Sequence, residues 1–184
     1  MLTLNNGAWD GETDIYLGAP QGSTKLMTVV NNYNFTSYPC INSWICTGAM
    51  YVTASSSTAT LTDVSPNLTA QTVYTSSAPW TGKLSTVQEF DYGASSPTRE
   101  TDYTYGDTLN GALLLTQQNK KFNGNAFAQT VYSYSSNGNM TSKVEGLPGS
   151  SQATTSYAYD TSGMRTSKTD PNGNTTSYAY VCSD

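Results

Sequence analysis

The chain has no histidine, which removes the commonest general base and the Ser-His-Asp and Cys-His catalytic arrangements. Charged side chains are also scarce, at 11% of 184 residues, and only eight of them are Lys or Arg. With a formal net charge of -5, the chain has no basic patch for nucleic acid or for an anionic membrane. No apolar run approaches membrane-spanning length, and residues 113–115 are too few to count. The composition therefore disfavours a histidine-dependent enzyme, a nucleic-acid binder and a membrane-spanning protein.

Large apolar side chains are few, since Leu, Ile, Val and Phe together number 28. A fraction this low indicates disorder when charge is high, but here charge is low. The chain instead contains 14 tyrosines and 29 threonines, residue types that favour strands. No convincing helix pattern is present, and residues 117–121 are the best short candidate. We therefore predict an all-β chain with thin hydrophobic layers.

Glycine and proline divide the first part of the chain into short strand candidates. The Ser- and Thr-rich run at residues 53–60 fits either a flexible loop or an exposed strand. Nothing in the composition marks a linker, so a β-rich segment 1–73 and a following segment 74–184 are predicted to share one sheet. The strand candidates of the first segment are residues 14–17, 26–33, 50–54, 58–64 and 68–73.

The most informative stretch is residues 157–173, with the sequence YAYDTSGMRTSKTDPNG. Tyr157 and Tyr159 alternate with small residues, which places both rings on one face of a strand. The four residues from Asp160 to Gly163 are typical of a turn, with a short polar side chain first and a glycine for positive φ last. This stretch therefore predicts a strand that ends in a tight hairpin turn.

The pattern continues to the end of the chain. Residues 164–169 are predicted to form the next strand, and the following Asp-Pro-Asn-Gly sequence a second turn. Residues 175–181 then read as a terminal strand with a new Tyr-x-Tyr. Asn-Gly turns are expected at Asn123, Asn137 and Asn172.

This stretch resembles the YD repeat of the Rhs family, the hairpin unit of teneurins, Tc-toxin shells and wall-associated bacterial proteins. The family pattern is Tyr-x-Tyr-Asp, two residues, Gly-Arg or Gly-Asn, and then a hydrophobic residue. The residues that match it are Tyr157, Tyr159, Asp160, Gly163 and Arg165.

Less regular copies surround this one. A second copy has Tyr132, Tyr134 and Gly138, but Ser135 stands where the family has aspartate. A last copy ends in Tyr180. Spacings of 20 to 50 residues between copies signal a repeat array. The copies start 29, 29, 25 and 21 residues apart, at Tyr74, Tyr103, Tyr132, Tyr157 and Tyr178.

The resemblance implies tandem β-hairpins that lie side by side in a long twisted antiparallel sheet. Large members of the family close such a sheet into a spiral shell around a toxin or other cargo. Because about five repeat starts are too few to close a shell, we expect an open strip. A strip leaves free strand edges, which pair with other chains.

The three cysteines bear on redox state and on metal binding. Cys40 and Cys46 enclose five residues, and we predict a disulfide between them because the composition resembles that of extracellular proteins. Cys182 is left over, which suggests an intermolecular bond or a partner removed by truncation, with a buried free thiol as the alternative. Zinc usually needs four ligands, so we expect no metal and no cofactor.

Two pairs of carboxylates deserve weighing as glycosidase residues. Glu89 with Asp91 and Glu100 with Asp102 are each spaced by two on a presumed strand face. A solvated strand face is the simpler interpretation, because functional pairs need burial. The Asp-Pro sequence at residues 170–171 faintly resembles the motif of the self-cleaving core in Rhs proteins, but it lies where a repeat places a turn. We therefore predict no catalytic residue.

Glycans enter the prediction in two ways. Tyrosine rings on exposed strands could stack on sugars, whereas stacking between neighbouring strands as the core of the repeat is the alternative. Four sequons indicate accessible polar surface and arise easily in a chain with 52 Ser and Thr. The candidate acceptors are Asn34, Asn67, Asn139 and Asn174.

The N-terminal sequence has no basic region followed by an apolar stretch, so we predict no signal peptide. The high Ser, Thr and Asn content nevertheless favours an extracellular or cell-surface location, and a piece of a longer secreted chain, over a cytosolic protein. The resemblance to Rhs proteins implies a bacterial source. We predict a non-catalytic structural protein that self-assembles through strand edges into a homo-oligomer or fibre. The alternatives are a shell fragment of an Rhs-type toxin and a carbohydrate-binding surface module.

Overall fold

The computed structural model describes residues 2–4, 7–18, 24–37, 49–78, 83–109 and 112–180. Across these residues the chain forms strands, turns and bends and no helix, and the helix candidate at residues 117–121 lies within a strand. The all-β prediction is confirmed. The strands are β1 (Leu2–Leu4), β2 (Gly7–Trp9), β3 (Glu12–Leu17), β4 (Thr24–Ser37), β5 (Ala49–Leu61), β6 (Leu68–Ala78), β7 (Lys83–Phe90), β8 (Arg99–Leu109), β9 (Ala112–Phe122), β10 (Asn125–Tyr134), β11 (Met140–Glu145), β12 (Ala153–Tyr159), β13 (Arg165–Thr169) and β14 (Thr175–Ser177).

The chain divides into two compact units, Met1–Glu100 and Thr101–Asp184. In the first unit, β3 to β7 lie side by side in sequence order, each antiparallel to its neighbours, and β1 pairs separately with β2. In the second unit, β8 to β14 follow one another in the same way. Neither described run closes on itself, which confirms tandem hairpins in an open antiparallel sheet. The division at residue 73, which rests on where the repeats begin, stays a prediction.

The described side chains form no buried hydrophobic core. Among them only Thr155, at 8% exposure, is buried, and most strand residues are half-buried. The prediction of thin hydrophobic layers therefore fits the described side chains. Cross-strand neighbours and ladder hydrogen bonds supply the contacts that hold these strands together.

Several strand boundaries differ from the sequence prediction. The candidates 50–54 and 58–64 form one strand, β5, which ends at Leu61. The loop interpretation of residues 53–60 is wrong, because β5 runs without interruption and pairs with β4 through partners such as Asn31 and Ser57. The terminal strand ends at Ser177, although the Tyr178 N–H still donates to the Thr166 carbonyl (2.9 Å) in the register of the β13–β14 pair. Val181 lies outside the described residues.

Candidate functional site: tyrosine ties and the β14 edge

The turn at residues 160–164 is built around one carboxylate. Oδ1 of Asp160 accepts hydrogen bonds from the N–H groups of Ser162 and Met164, both at 2.9 Å. Gly163 has a φ of +80°, in the left-handed region that favours glycine. The turn predicted from Asp160 and Gly163 is therefore confirmed, with the roles that the sequence assigned to them.

The same arrangement recurs at residues 170–174 and 135–139. Oδ1 of Asp170 accepts two main-chain N–H bonds at 2.9 Å, and Oγ of Ser135 accepts two at 3.2 and 3.3 Å. A serine hydroxyl oxygen accepts hydrogen bonds through its lone pairs, as a carboxylate oxygen does. Serine therefore fills the aspartate position of the turn, and the bonds that it accepts are longer. Ser135 thus replaces the aspartate of the repeat without changing the turn. The donors are Asn172 and Asn174 at the first turn, and Asn137 and Asn139 at the second.

Asp170 receives one further bond. Nδ2 of Asn174 donates to Oδ2 of Asp170 at 2.9 Å. This side-chain bond first, and the Asn174 and Asn172 main-chain bonds after it, hold the pKa of the Asp170 carboxyl below its usual value. The Asp-Pro sequence is therefore part of an ordinary repeat turn, as predicted.

The second tyrosine of three Tyr-x-Tyr pairs makes a bond that the sequence analysis missed. Each hydroxyl donates to a main-chain carbonyl on the preceding strand, and we call these bonds the tyrosine ties. Burial first, and Tyr132 second, raise the pKa of the Tyr134 hydroxyl. The ties run from Tyr134 to Leu115 (2.8 Å), from Tyr159 to Met140 (2.9 Å) and from Tyr180 to Arg165 (3.0 Å).

The three ties occupy the same register. The last pair of the β11–β12 ladder is Ser142 with Ser156. The donor Tyr159 lies three residues after Ser156, and the acceptor Met140 lies two residues before Ser142. The same offsets hold at the other two ties. A tie therefore joins two strands at the point where their main-chain pairing stops. The corresponding last pairs are Val131 with Gln117 and Ser167 with Ser177.

The tyrosines that make the first two ties also border β-bulges. In the β10–β11 pair, the register shifts between Ser133 and Tyr134, and Tyr134 lies opposite Met140. An equivalent shift places Tyr159 opposite Arg165. Each tyrosine thus contacts the strand before it through its hydroxyl and the strand after it through its backbone. Sequence spacing does not reveal a bulge, which is why the ties escaped prediction.

Arg165 lies between two tyrosine rings. Its guanidinium carbon is 4.5 Å from the Tyr178 ring centroid and 5.9 Å from the Tyr157 ring centroid, within the range of cation–π attraction. Its Nε is buried without a hydrogen-bond partner. Arg165 therefore joins β12, β13 and the segment after β14 through stacking, and the repeat tyrosines contact a cation as well as neighbouring strands.

The outer side of β14 is a strand edge. β14 pairs with β13 on one side, and the N–H of Tyr178 also points to β13. Because alternate residues of a strand point their main-chain groups to opposite sides, those of Ser177 face away from β13. All three residues of β14 are exposed, and Tyr180 is 55% exposed. No strand pairs with this side in the part of the chain that the structure describes.

Each carboxylate of the two candidate glycosidase pairs forms an ion pair or a hydrogen bond with another side chain. Arg99 lies 3.3 Å from Oε2 of Glu89 and 2.7 Å from Oδ1 of Asp91, and the three side chains are about half exposed, at 48, 48 and 53%. Asp91 first, and Glu89 after it, raise the pKa of Arg99. The arrangement is that of a solvated strand face, the simpler of the two interpretations.

The second pair is divided between two partners. Glu100 accepts a 2.6 Å bond from Nε2 of Gln88, and Asp102 lies 2.6 Å from Nζ of Lys121. In these contacts the two carboxylates bind different side chains.

An open depression of about 500 Å³ lies beside Arg99 in the first unit. Tyr92, 45% exposed, lines it, and its hydroxyl is 3.5 Å from the sulfur of Met27 on β4. The main chain beside Tyr92 lies next to β6, because the N–H of Gly93 donates to the carbonyl of Thr69. Since the Tyr92 hydroxyl lies near Met27 on β4, the side chain runs along the sheet surface. The small side chains of the depression are Ser57, Ala59, Ala70 and Thr72.

The remaining candidate residues differ in their surroundings. Cys40, Cys46 and Cys182 lie outside the described residues, so the disulfide and the free thiol stay predictions. Asn34 and Asn67 are exposed, and Asn67 ends the loop before β6. Asn139 is half-buried, and Nδ2 of Asn174 is engaged by Asp170. Asn34, Asn67 and Asn174 are exposed, and only Asn139 of the four sequon asparagines is half-buried.

Within the described ranges, no three metal-binding side chains cluster, and no helix has the length and apolarity to cross a membrane. The chain matches no model of a known protein family and no curated protein. The repeat resemblance therefore rests on the residues named above.

Proposed function

We propose that this chain is a secreted, non-catalytic structural protein of YD-type repeats whose sheet grows by strand addition at the β14 edge. A second copy of the chain is the proposed occupant, and repeated addition gives an extracellular fibre. The observation that carries the proposal is the outward direction of the Ser177 main-chain groups on the exposed strand β14.

The chemistry of the edge supports this proposal. Natural edge strands are protected by charge, proline or bulges, and residues 175–180 contain neither a charged side chain nor a proline. Contact between two different surfaces propagates into a filament unless the rotation closes a ring. The family resemblance points to extended sheets, and the shell of a toxin remains the alternative assembly for a longer chain.

The test is a proline that blocks the edge without disturbing the fold. Ser177→Pro removes an N–H that faces away from β13, so it should prevent assembly and leave the β13–β14 bonds intact. Thr161→Pro is the matched control, because Pro171 already occupies the same position of the sister turn. Analytical ultracentrifugation should show oligomers for the unmodified chain and for Thr161→Pro, and monomers for Ser177→Pro.

A monodisperse monomer of the unmodified chain would contradict the proposal. A Tyr178→Lys substitution would not isolate the edge, because Arg165 stacks on the Tyr178 ring at 4.5 Å and the lysine would lie beside this cation. Circular dichroism of each variant checks that the strands persist.

A second candidate function, binding of neutral sugars, is favoured by the depression beside Tyr92. A tyrosine ring presents an apolar face to sugar C–H groups, and the Glu89–Arg99–Asp91 cluster offers donors and acceptors to hydroxyls. Soluble cello-, malto- and chito-oligosaccharides should shift the amide NMR signals of Ala59 and Thr72, which line the depression. Tyr92→Ala should abolish the shift and Phe122→Ala, another exposed aromatic, should not; unchanged spectra with all three sugars exclude this function.

A further inference from the structure

We propose that Asn123 is a site of spontaneous covalent modification in the folded chain, where the asparagine loses its side-chain amide. Water is the co-reactant, and the products are aspartate and isoaspartate at position 123. The inference goes beyond the assembly proposed above, because it concerns a change within the second unit.

The reaction is a ring closure within the chain that requires glycine after the asparagine, since glycine has no side chain to shield its nitrogen. The glycine nitrogen gives up its proton and attacks Cγ of the asparagine. A C–N bond forms, the Cγ–Nδ2 bond breaks, and the side-chain nitrogen leaves as ammonia with that proton. Water then opens the succinimide ring at either carbonyl, which leaves aspartate or isoaspartate. A glycine N–H that donates to no other group therefore favours the reaction.

The chain offers three matched sequences in which to compare this nitrogen. Asn123, Asn137 and Asn172 each begin the tripeptide Asn-Gly-Asn, so the residues after the reacting asparagine are identical. Asn6 and Asn110 also precede glycine and lie outside the described residues. A difference among the three described sites therefore reports mainly on their folded surroundings.

Asn123 and Gly124 form a two-residue hairpin turn between β9 and β10. Their φ values are +47° and +78°, and Phe122 and Asn125 on either side are paired. Both turn residues are exposed, and the Gly124 N–H donates to no group in the described part of the chain. The Asn123 carbonyl accepts one bond, from Nδ2 of Asn125 at 3.1 Å. The peptide group between Asn123 and Gly124 can therefore rotate when a single exposed side-chain bond opens.

The corresponding nitrogen is bound in the turns that contain Asn137 and Asn172. The Gly138 N–H donates to the Ser135 carbonyl at 2.9 Å. In the other turn, the N–H of the glycine after Asn172 donates to the Asp170 carbonyl at 3.0 Å. A main-chain hydrogen bond must therefore open at these two sites before the nitrogen can attack, and at Asn123 none has to.

Isoaspartate at position 123 would change the main chain of the hairpin. Its bond to Gly124 runs through the side-chain carboxyl carbon, which adds a methylene group to a two-residue turn. The β9–β10 ladder should loosen, beginning at the pair of Phe122 with Asn125. Aspartate at the same position keeps the normal main chain, and Asp-Gly suits this turn as Asn-Gly does. The two products thus carry equal charge and differ in connectivity.

The experiment incubates the full chain in mildly alkaline buffer and follows each Asn-Gly peptide separately by mass spectrometry. Asn123 should lose its amide about two- to tenfold faster than Asn137 and Asn172, the factor that corresponds to one net hydrogen bond. In urea the three rates should converge, because the difference comes from the fold. Hydrogen exchange of residues 119–129 should be faster in the purified isoaspartate form than in Asn123→Asp, the matched control of equal charge.

Equal rates at the three sites of the folded chain would overturn the inference, and so would a difference that persists in urea. It is also overturned if the folded chain keeps the Asn123 amide while the unfolded chain loses it. Equal exchange in the isoaspartate form and in Asn123→Asp would overturn the effect on the hairpin. Because all sites are measured in the same molecule, these outcomes are independent of whether the chain self-assembles.

Discussion

The hydroxyl of Tyr159 donates a 2.9 Å hydrogen bond to the carbonyl oxygen of Met140, at the point where pairing between their strands stops. Tyr159→Phe removes the donor, so this carbonyl loses a bond where the ladder no longer supplies one. We expect a loss of about 0.5–1.5 kcal/mol in the free energy of unfolding, the usual net value of such a bond. Urea unfolding followed by circular dichroism measures it.

Tyr157→Phe is the matched control for this prediction. Tyr157 lies two residues earlier on the same face, and its described contact is the stacking of its ring with Arg165, which phenylalanine preserves. Its unfolding midpoint should change little. Equal losses for the two variants would show that the tie contributes nothing of its own.

Arg165 and Met140 are equivalent residues, because each faces the second tyrosine of a repeat across a bulge. Arg165→Met should therefore be tolerated, since it also removes a buried Nε that has no partner. Arg165→Ala loses both stacking contacts and should cost about 0.5–2 kcal/mol. Thermal unfolding of the two variants tests the order, and a methionine variant less stable than the alanine variant would contradict it.

Ser135 and Asp160 accept the same two main-chain bonds in their turns. Asp160→Ser should therefore keep the hairpin, whereas Asp160→Ala leaves the N–H groups of Ser162 and Met164 without their acceptor. We expect a lower unfolding midpoint for the alanine variant than for the serine variant. Indistinguishable midpoints would show that the glycine at position 163 alone determines the turn.

Asp170 makes the turn at residues 170–174 sensitive to acid. Its folded pKa lies below the unfolded value, so its contribution to stability is present above the unfolded pKa and is lost as pH falls through the folded pKa. The loss therefore occurs below about pH 4. Asn174→Ala removes the largest cause of the shift and should raise the Asp170 pKa, as NMR titration of the carboxyl would show. An unchanged titration would contradict the assignment.

The turns were predictable from sequence because their chemistry is local. Gly138, Gly163 and Gly173 have φ values of +79°, +80° and +85°, and each follows the short polar residue that begins the turn by three positions. Asn123 and Gly124 likewise both have positive φ, at 47° and 78°, in the hairpin turn that the Asn-Gly pair predicted.

The parts that escaped prediction depend on register between strands. β5 contains a Ser- and Thr-rich stretch with no glycine or proline, and its continuity comes from pairing with β4 and β6. The number of residues over which β13 and β14 pair determines where β14 ends. It also determines the position of the tie from Tyr180 to Arg165. Sequence periodicity gives the face of a residue but not the position at which a ladder stops.

The sequential order of the strands bears on how the chain acquires its structure. In each unit every described strand pairs with the strand before or after it in the sequence, so no described pairing skips an intervening strand. Such a pairing closes only the loop between two neighbouring strands, which limits the loop entropy lost at each step. Each hairpin can therefore form as soon as its second strand leaves the ribosome, and the growing sheet offers every new strand the template on which it pairs.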